Sequence, residues 1–235
     1  EEDPRQCPNG WIQFGIARVY ERVQRAERRY KMTKVAFVCV DMQYDFTRKG
    51  GPHYRNRKSI AFVKRKLIPF LRKNKKKVAE IISDYRFPRP ADADYSCKPG
   101  EWGYKTEIPD DIRKGKQWTK CMNSPIWVRK NGGNPNKKPG LPYQDPKAFT
   151  RWLNQTIGKP NQVKELILFG ITTDCCVFCT AQELSFRGYN VRILKEATDT
   201  YSGNQKEKEH ILNNPPLTNW MGKGPITFEE LKKGV

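Results

Sequence analysis

The sequence predicts an α/β protein: a three-layer, open, mostly parallel sheet with helices on both faces, preceded by a basic N-terminal helix. Three observations carry that expectation. Val35-Ala36-Phe37-Val38-Cys39-Val40 is a short, continuously apolar run, of the kind buried on both faces in a parallel sheet. Further apolar runs at 78–83 and 165–169 alternate with stretches of helical period. Gly188 stands where the helical stretch from Asp174 to about Arg187 should stop, just ahead of a further strand at 190–194.

Between these anchors the order continues in the same alternation. A helix is expected through about 58–73, a strand around 117–121, and a helix around 146–157. Residues 205–214 and 227–233 read as closing helices. Such a sheet places its site at the carboxyl ends of the strands. The Gly-, Pro- and Asn-rich stretches 86–116 and 131–146 are expected as loops over that edge. Residues 1–33 form a separate arm and 34–235 the domain. Within the arm Ile12, Ile16, Val19, Val23, Ala26 and Tyr30 follow one helical seam, and Arg18, Arg22, Arg25 and Arg29 a neighbouring face. That helix either folds back on its own domain or docks on a partner with its arginines toward phosphate.

Charge sets the chain apart. Forty-five Lys and Arg against 25 Asp and Glu leave +20 over 235 residues. So much self-repulsion suits a polyanionic partner. Between Asp45 and Glu80 there is no acidic residue, while Arg48, Lys49, Arg55, Arg57, Lys58, Lys64, Arg65, Lys66, Arg72, Lys73, Lys75, Lys76 and Lys77 fall in the window. The expected partner is rRNA or another RNA, with protein neighbours, met through the arm and through Lys64, Arg65, Lys75, Lys76 and Lys77. The plainer reading is a solvated basic surface. No run reaches the roughly 18 apolar residues of a membrane span, so no membrane partner is expected. The adjacent Cys175 and Cys176 resist pairing with each other, which reads as a reducing, intracellular compartment, cytoplasm or mitochondrial matrix. The first residue is not Met, as in an excised piece of a longer chain or in a mature chain whose targeting segment has been removed. With only two histidines in the chain zinc is not expected, and neither a cofactor nor a metal is expected.

Three polar residues sit where this fold presents reactive groups. Asp41 follows the first strand, Lys120 lies near the end of a middle strand, and Cys176 opens a helix after a strand. A helix N-terminus and a nearby lysine favour the thiolate, and a carboxylate can shuttle its proton. Backbone N–H groups before Cys176 can hold an oxyanion.

At these residues the sequence resembles the isochorismatase-like cysteine hydrolases, which include nicotinamidases, N-carbamoylsarcosine amidases and ureidoacrylate amidases. The matching stretches are Val38-Cys39-Val40-Asp41-Met42-Gln43-Tyr44-Asp45-Phe46, Gly170-Ile171-Thr172-Thr173-Asp174-Cys175-Cys176-Val177-Phe178-Cys179-Thr180-Ala181, and Arg187-Gly188-Tyr189-Asn190-Val191. The tail Ile226-Thr227-Phe228-Glu229-Glu230-Leu231 is similar to the family's closing element. The resemblance implies Asp41 as general base and acid, Cys176 as nucleophile, a cis peptide between Ile171 and Thr172, and an oxyanion held by the N–H groups of Thr172 and Cys176. It favours Lys120, in Lys120-Cys121-Met122-Asn123-Ser124-Pro125-Ile126-Trp127, over Lys130 as the lysine. Where nicotinamidases carry an Asp-x-His metal motif, this chain has Asp84-Tyr85-Arg86, which argues against a metal and against nicotinamide.

Phe46, Arg86 and Trp127 are the substrate-binding candidates. Arg86 either clamps a substrate carboxylate or pairs with Asp84. Trp102, Tyr104 and Trp127 either roof the pocket or anchor loops. Two functions follow: a metal-independent amidohydrolase acting on a small amide through a Cys thioester, or an accessory subunit of an RNA-rich assembly such as a mitochondrial ribosome. A homo-oligomer is compatible with both.

Overall fold

The computed structural model describes residues 34–87 and 95–234. The arm and its four arginines, Arg18, Arg22, Arg25 and Arg29, lie outside the described residues. Five strands form one parallel sheet: β1 (Lys34–Val40), β2 (Val78–Ser83), β3 (Trp118–Lys120), β6 (Val163–Ile171) and β7 (Val191–Asp199), in the order β3-β2-β1-β6-β7. A separate antiparallel pair, β4 (Trp127–Arg129) and β5 (Pro142–Gln144), stands beside it.

The apolar run of β1 explains the layers. Successive side chains of a strand point to opposite faces. Ala36, Val38 and Val40 face one core with Phe149 and Leu153 of helix α3 (Pro146–Thr156) and Val177, Ala181 and Leu184 of helix α4 (Cys176–Phe186). Phe37 and Cys39 face the other core, against Ile60, Val63, Leu67 and Leu71. Those four belong to α2, which follows the one-turn α1 (Tyr44–Thr47) and whose consecutive segments are Lys58–Phe62, a π-helical Val63–Leu67, and Ile68–Lys73. The three-layer expectation is borne out.

Local chemistry sets the helix ends. Asp145 caps α3 by accepting the Ala148 N–H at 2.8 Å, with Pro146 at the first helical position. Phe149, Trp152, Leu153 and Thr156 make its buried stripe. Gly188, at φ 83°, ends α4 by donating to the Ser185 carbonyl at 2.8 Å. Asn204 caps α5 (Gln205–Asn213), and α6 (Phe228–Gly234) closes the chain.

Three expectations needed correction. The stretch 131–146 is not simply a loop, because β4 and β5 pair across it, as Val128 with Tyr143. The strand after Gly188 runs on to Asp199, with a register shift opposite Leu168/Gly170 that the half-polar Lys195-Glu196 disguises in sequence. The helix expected from Asp174 begins two residues later, at Cys176, the preceding residues forming the turn.

Strand order reverses at β1: the chain leaves it for β2 on one side and later returns as β6 on the other. The crevice at the carboxyl ends of β1 and β6 is the topological switch point of the sheet, where open α/β folds present their sites.

Candidate active site

Asp41 is the first residue past β1 at that switch point. Its N–H donates to the Ile81 carbonyl at 2.9 Å and its φ is 52°, a left-handed value that costs a non-glycine residue about 1–3 kcal/mol. Just beyond, the Gln43 side chain imitates a strand: its Nε2 donates to the Ser83 carbonyl at 3.0 Å and its Oε1 accepts the Ser83 N–H at 2.7 Å. Across the sheet, Ser83 and Lys120 are register partners, which sets their side chains side by side. Cys176 opens α4 after a turn in which the Cys175 and Val177 amides donate to the Thr172 carbonyl at 3.1 and 3.0 Å, and Thr173 N–H to the Asp199 carbonyl at 2.9 Å. These bonds leave out the amides of Thr172 and Cys176. The Ile171–Thr172 peptide is cis.

The three elements bring Asp41, Lys120 and Cys176 into one buried cluster. Lys120 Nζ lies 2.7 Å from Asp41 Oδ2 and 3.3 Å from Cys176 Sγ. Lys130, in contrast, stands exposed at the start of the β4–β5 connection. Two residues not singled out from sequence join the cluster. Ser83 Oγ accepts from Lys120 at 2.8 Å and donates to Asp41 Oδ1 at 2.8 Å. Tyr85 OH accepts from Lys120 at 2.8 Å and lies 3.8 Å from Cys176 Sγ. At the mouth, the Cys176 thiol reaches Asn123 Oδ1 at 3.6 Å. A serine ending a strand at the carboxyl edge was the available signal for Ser83. Tyr85 and Asn123 gave none.

Electrostatics corrects one expectation. Helix terminus and lysine were expected to favour the thiolate. Instead burial pushes the Cys176 thiol up to about 12, with Lys120 pulling it down and Asp41 pushing it further up. Burial alone would lower the Lys120 ammonium, but Asp41, Cys176 and Tyr85 around it hold it well above its usual value. The resting cluster is therefore a charged lysine beside a protonated thiol, and the thiol must lose its proton to a neighbouring base as it attacks.

The substrate-binding candidates separate. Phe46 is a core residue that stacks on His53 with ring centroids 5.3 Å apart. Arg86 is committed to structure: it grips both oxygens of Asp84 (2.9 and 2.7 Å) and donates to the Asn134 and Lys137 carbonyls at 2.9 and 3.2 Å. Gly133 N–H adds a bond to Asp84 Oδ2 at 2.8 Å. The pair thus staples the connection between β4 and β5, and this geometry favours the ion pair over the substrate clamp. Trp127 lies half-buried on β4, Tyr104 OH meets Thr119 Oγ1 at 3.4 Å, and Trp102 packs on Tyr44 at 5.5 Å.

Arg86→Ala leaves Asp84 buried with its charge uncompensated. We expect a loss of about 3–5 kcal/mol, with new proteolytic cleavage inside 131–138. Cleavage kinetics unchanged from the parent would contradict the staple.

The same pair bears on whether a metal fits here. A divalent ion at Asp84 would compete with a guanidinium already bound to both carboxylate oxygens, so these residues do not fit one. Among the described residues no group of three or more His, Cys, Asp or Glu is placed to hold a metal. A cleft of about 360 Å³ lies beside the staple, lined by Arg86, Phe87, Lys98 and 135–139; its lining does not include Asp41, Lys120 or Cys176.

The basic window also divides. Arg57 is buried, donating to the Thr200, Phe46 and Tyr201 carbonyls at 2.9, 3.0 and 2.7 Å, so it leaves the phosphate footprint. Lys64 pairs with Glu107 at 3.4 Å, and Lys77 donates to the Asp111 carbonyl. Arg65 and Lys75 are exposed and Lys76 is half-buried. No helix among the described residues is long and apolar enough to cross a membrane.

The Isochorismatase domain model matches residues 145–217, the stretch from α3 through α5. Three solved structures share the fold. An isochorismatase-like hydrolase from Alkaliphilus metalliredigens is 17% identical, over 86% of this chain and 97% of that one, with a TM-score of 0.57. An isochorismatase family protein from Desulfovibrio vulgaris is 16% identical, over 85% and 96%, at 0.56. A nicotinamidase/pyrazinamidase from Bacillus subtilis is 17% identical, over 79% and 97%, at 0.55. No curated protein matches the chain by sequence. The protein has the isochorismatase-like α/β fold, and its residues 145–217 are similar to the Isochorismatase domain, as its motifs suggested.

Proposed function

We propose that the protein is a metal-independent cysteine amidohydrolase that cleaves a non-peptide C–N bond through a thioester on Cys176. The observation that carries this reading is the convergence of Asp41, Lys120 and Cys176 at the switch point, with Lys120 Nζ within 3.3 Å of both the carboxylate and the sulfur. The domain match and the likeness to proteins titled hydrolase and nicotinamidase support it.

The steps follow from the residues. As Sγ attacks the amide carbon, its proton passes to the Asp41 carboxylate, because the buried thiol does not ionise on its own near neutral pH. The carbonyl oxygen gains the negative charge and is held by the Thr172 and Cys176 N–H groups. The C–N bond then breaks, Asp41 returns its proton to the departing nitrogen, and a thioester remains. Water, deprotonated by Asp41, attacks the thioester. The carboxylic acid leaves and Cys176 recovers its proton from Asp41. Lys120 stays charged throughout and holds the Asp41 carboxylate in place.

The test is ammonia or amine release from a panel of small amides. We expect turnover of at least one amide by the parent, unaffected by a metal chelator and reduced ~100-fold or more in Asp41→Asn. Turnover that a chelator abolishes and zinc restores would refute metal independence. A parent inert across the panel would count against the enzyme.

A second reading is favoured by one observation: Arg65, Lys66, Lys73 and Lys75 are exposed and, among the described residues, have no carboxylate partner. Such a surface suits phosphate, so the protein would also dock on RNA, with neighbours in an RNA-rich assembly. Cosedimentation with RNA at low salt that is lost at high salt supports this; no binding at either salt refutes it.

A further inference from the structure

We propose that Tyr85 is a further catalytic residue of this site, its hydroxyl joining Lys120 as a second donor to the Cys176 sulfur. The proposal rests on the reading of Cys176 as the nucleophile and adds a fourth group to it. Tyr85 lies just past β2 and is only 1% exposed.

An ammonium has three N–H donors and no acceptor. Around Lys120 Nζ stand four acceptors: Asp41 Oδ2 at 2.7 Å, Ser83 Oγ at 2.8 Å, Tyr85 OH at 2.8 Å and Cys176 Sγ at 3.3 Å. Three of them meet it in hydrogen-bonding geometry, Ser83 Oγ, Tyr85 OH and Cys176 Sγ, and take the three hydrogens, while Asp41 Oδ2 faces the ammonium as an ion pair without a hydrogen bond. Tyr85 then accepts from a cation, which polarises its own O–H. That hydrogen has the Met122 carbonyl at 3.4 Å and the sulfur at 3.8 Å within reach. Beside the resting thiol it favours the carbonyl. As the sulfur loses its proton to Asp41 it becomes the better acceptor, and the phenol turns to it. Ser83 cannot serve in this way, because its hydrogen already lies on Asp41 Oδ1 at 2.8 Å. No atom moves from Tyr85: the thiol proton goes to Asp41 and the phenol stays protonated.

The charged and titratable groups facing the sulfur are Asp41 beyond β1, Tyr85 beyond β2 and Lys120 on β3, with the neutral Asn123 at the mouth. The experiment is the pH dependence of Cys176 alkylation by iodoacetamide, read at the Cys176 peptide by mass spectrometry. Parent, Tyr85→Phe and Asp41→Asn are compared, and thiolate absorbance is measured against Cys176→Ser. Tyr85→Phe keeps the ring and its packing. We expect its profile to move to higher pH, with alkylation ~10-fold slower on the rising limb. Replacing Tyr85 by a fluorinated tyrosine, a more acidic phenol, should move the profile the opposite way, which a merely structural role would not do. Profiles unmoved by either replacement, in a protein whose Cys176 responds to Asp41→Asn, overturn the Tyr85 proposal alone. A parent Cys176 that reacts no faster than Cys175 or Cys179, and is indifferent to Asp41→Asn, overturns the nucleophile reading as well.

Discussion

Replacing Lys120 by methionine should cost the fold about 3–5 kcal/mol and abolish turnover. Methionine matches the lysine stem in length and keeps most of the packing, so the loss isolates the charge. Lys120 is fully buried, and its nitrogen is the cation that compensates Asp41, also fully buried, at 2.7 Å. Removing one partner of such a pair leaves the other charge in a low-dielectric interior with Ser83 as its remaining donor. The pH dependence has a definite sign. Asp41, Cys176 and Tyr85 raise the Lys120 folded-state value above its unfolded one, against the opposing effect of burial. Its contribution is therefore complete below the unfolded value of about 10.4 and fades as pH rises through the higher folded value. Urea denaturation of parent and variant should show a constant gap from neutral pH to about 10, narrowing above. No gap at neutral pH would show that the pair does not stabilise the fold.

Gly170→Ala should destabilise the protein by at least about 3 kcal/mol, and the variant is expected to accumulate as insoluble protein. Gly170 sits at φ 125°, which side-chain-bearing residues avoid, and a Cβ there would lie 2.0 Å from the Val40 carbonyl oxygen and 2.7 Å from the Val40 nitrogen. Both obstacles are backbone, so no rotamer change relieves them. Val40 and Gly170 are register partners at the point where β1 and β6 deliver Asp41 and the turn before Cys176. Relieving the clash separates those strands and the reacting groups with them. Soluble yield and thermal unfolding read the effect; a variant as soluble and stable as the parent would contradict the close approach.

Much of this was legible in the chain, for physical reasons. β1 was legible because a strand buried on both faces must be apolar throughout, and Val35 to Val40 is. Asp41, Lys120 and Cys176 were legible because reactive groups in such sheets follow strand ends. Their partners were not. Ser83 and Tyr85 matter through a register between β2 and β3 that only three residue pairs define. The thiol's protonation state was misjudged because a sequence shows the nearby lysine but not the burial that outweighs it. Arg57 looked like one more surface cation, and its burial depends on carbonyls more than 140 residues away in sequence, those of Thr200 and Tyr201. The β4–β5 pair was hidden because the stapling residues, Asp84 and Arg86, precede it by some 40 residues.

The central claim is that Cys176 is a nucleophile switched on by Asp41. The most direct measurement is intact-protein and peptide mass spectrometry after incubation with an aldehyde analogue of a small amide, followed by reduction of the adduct. The account predicts a single adduct, on Cys176, that disappears in Asp41→Ala while the variant remains folded. Equal labelling of Cys175 and Cys176, unchanged by Asp41→Ala, would contradict it.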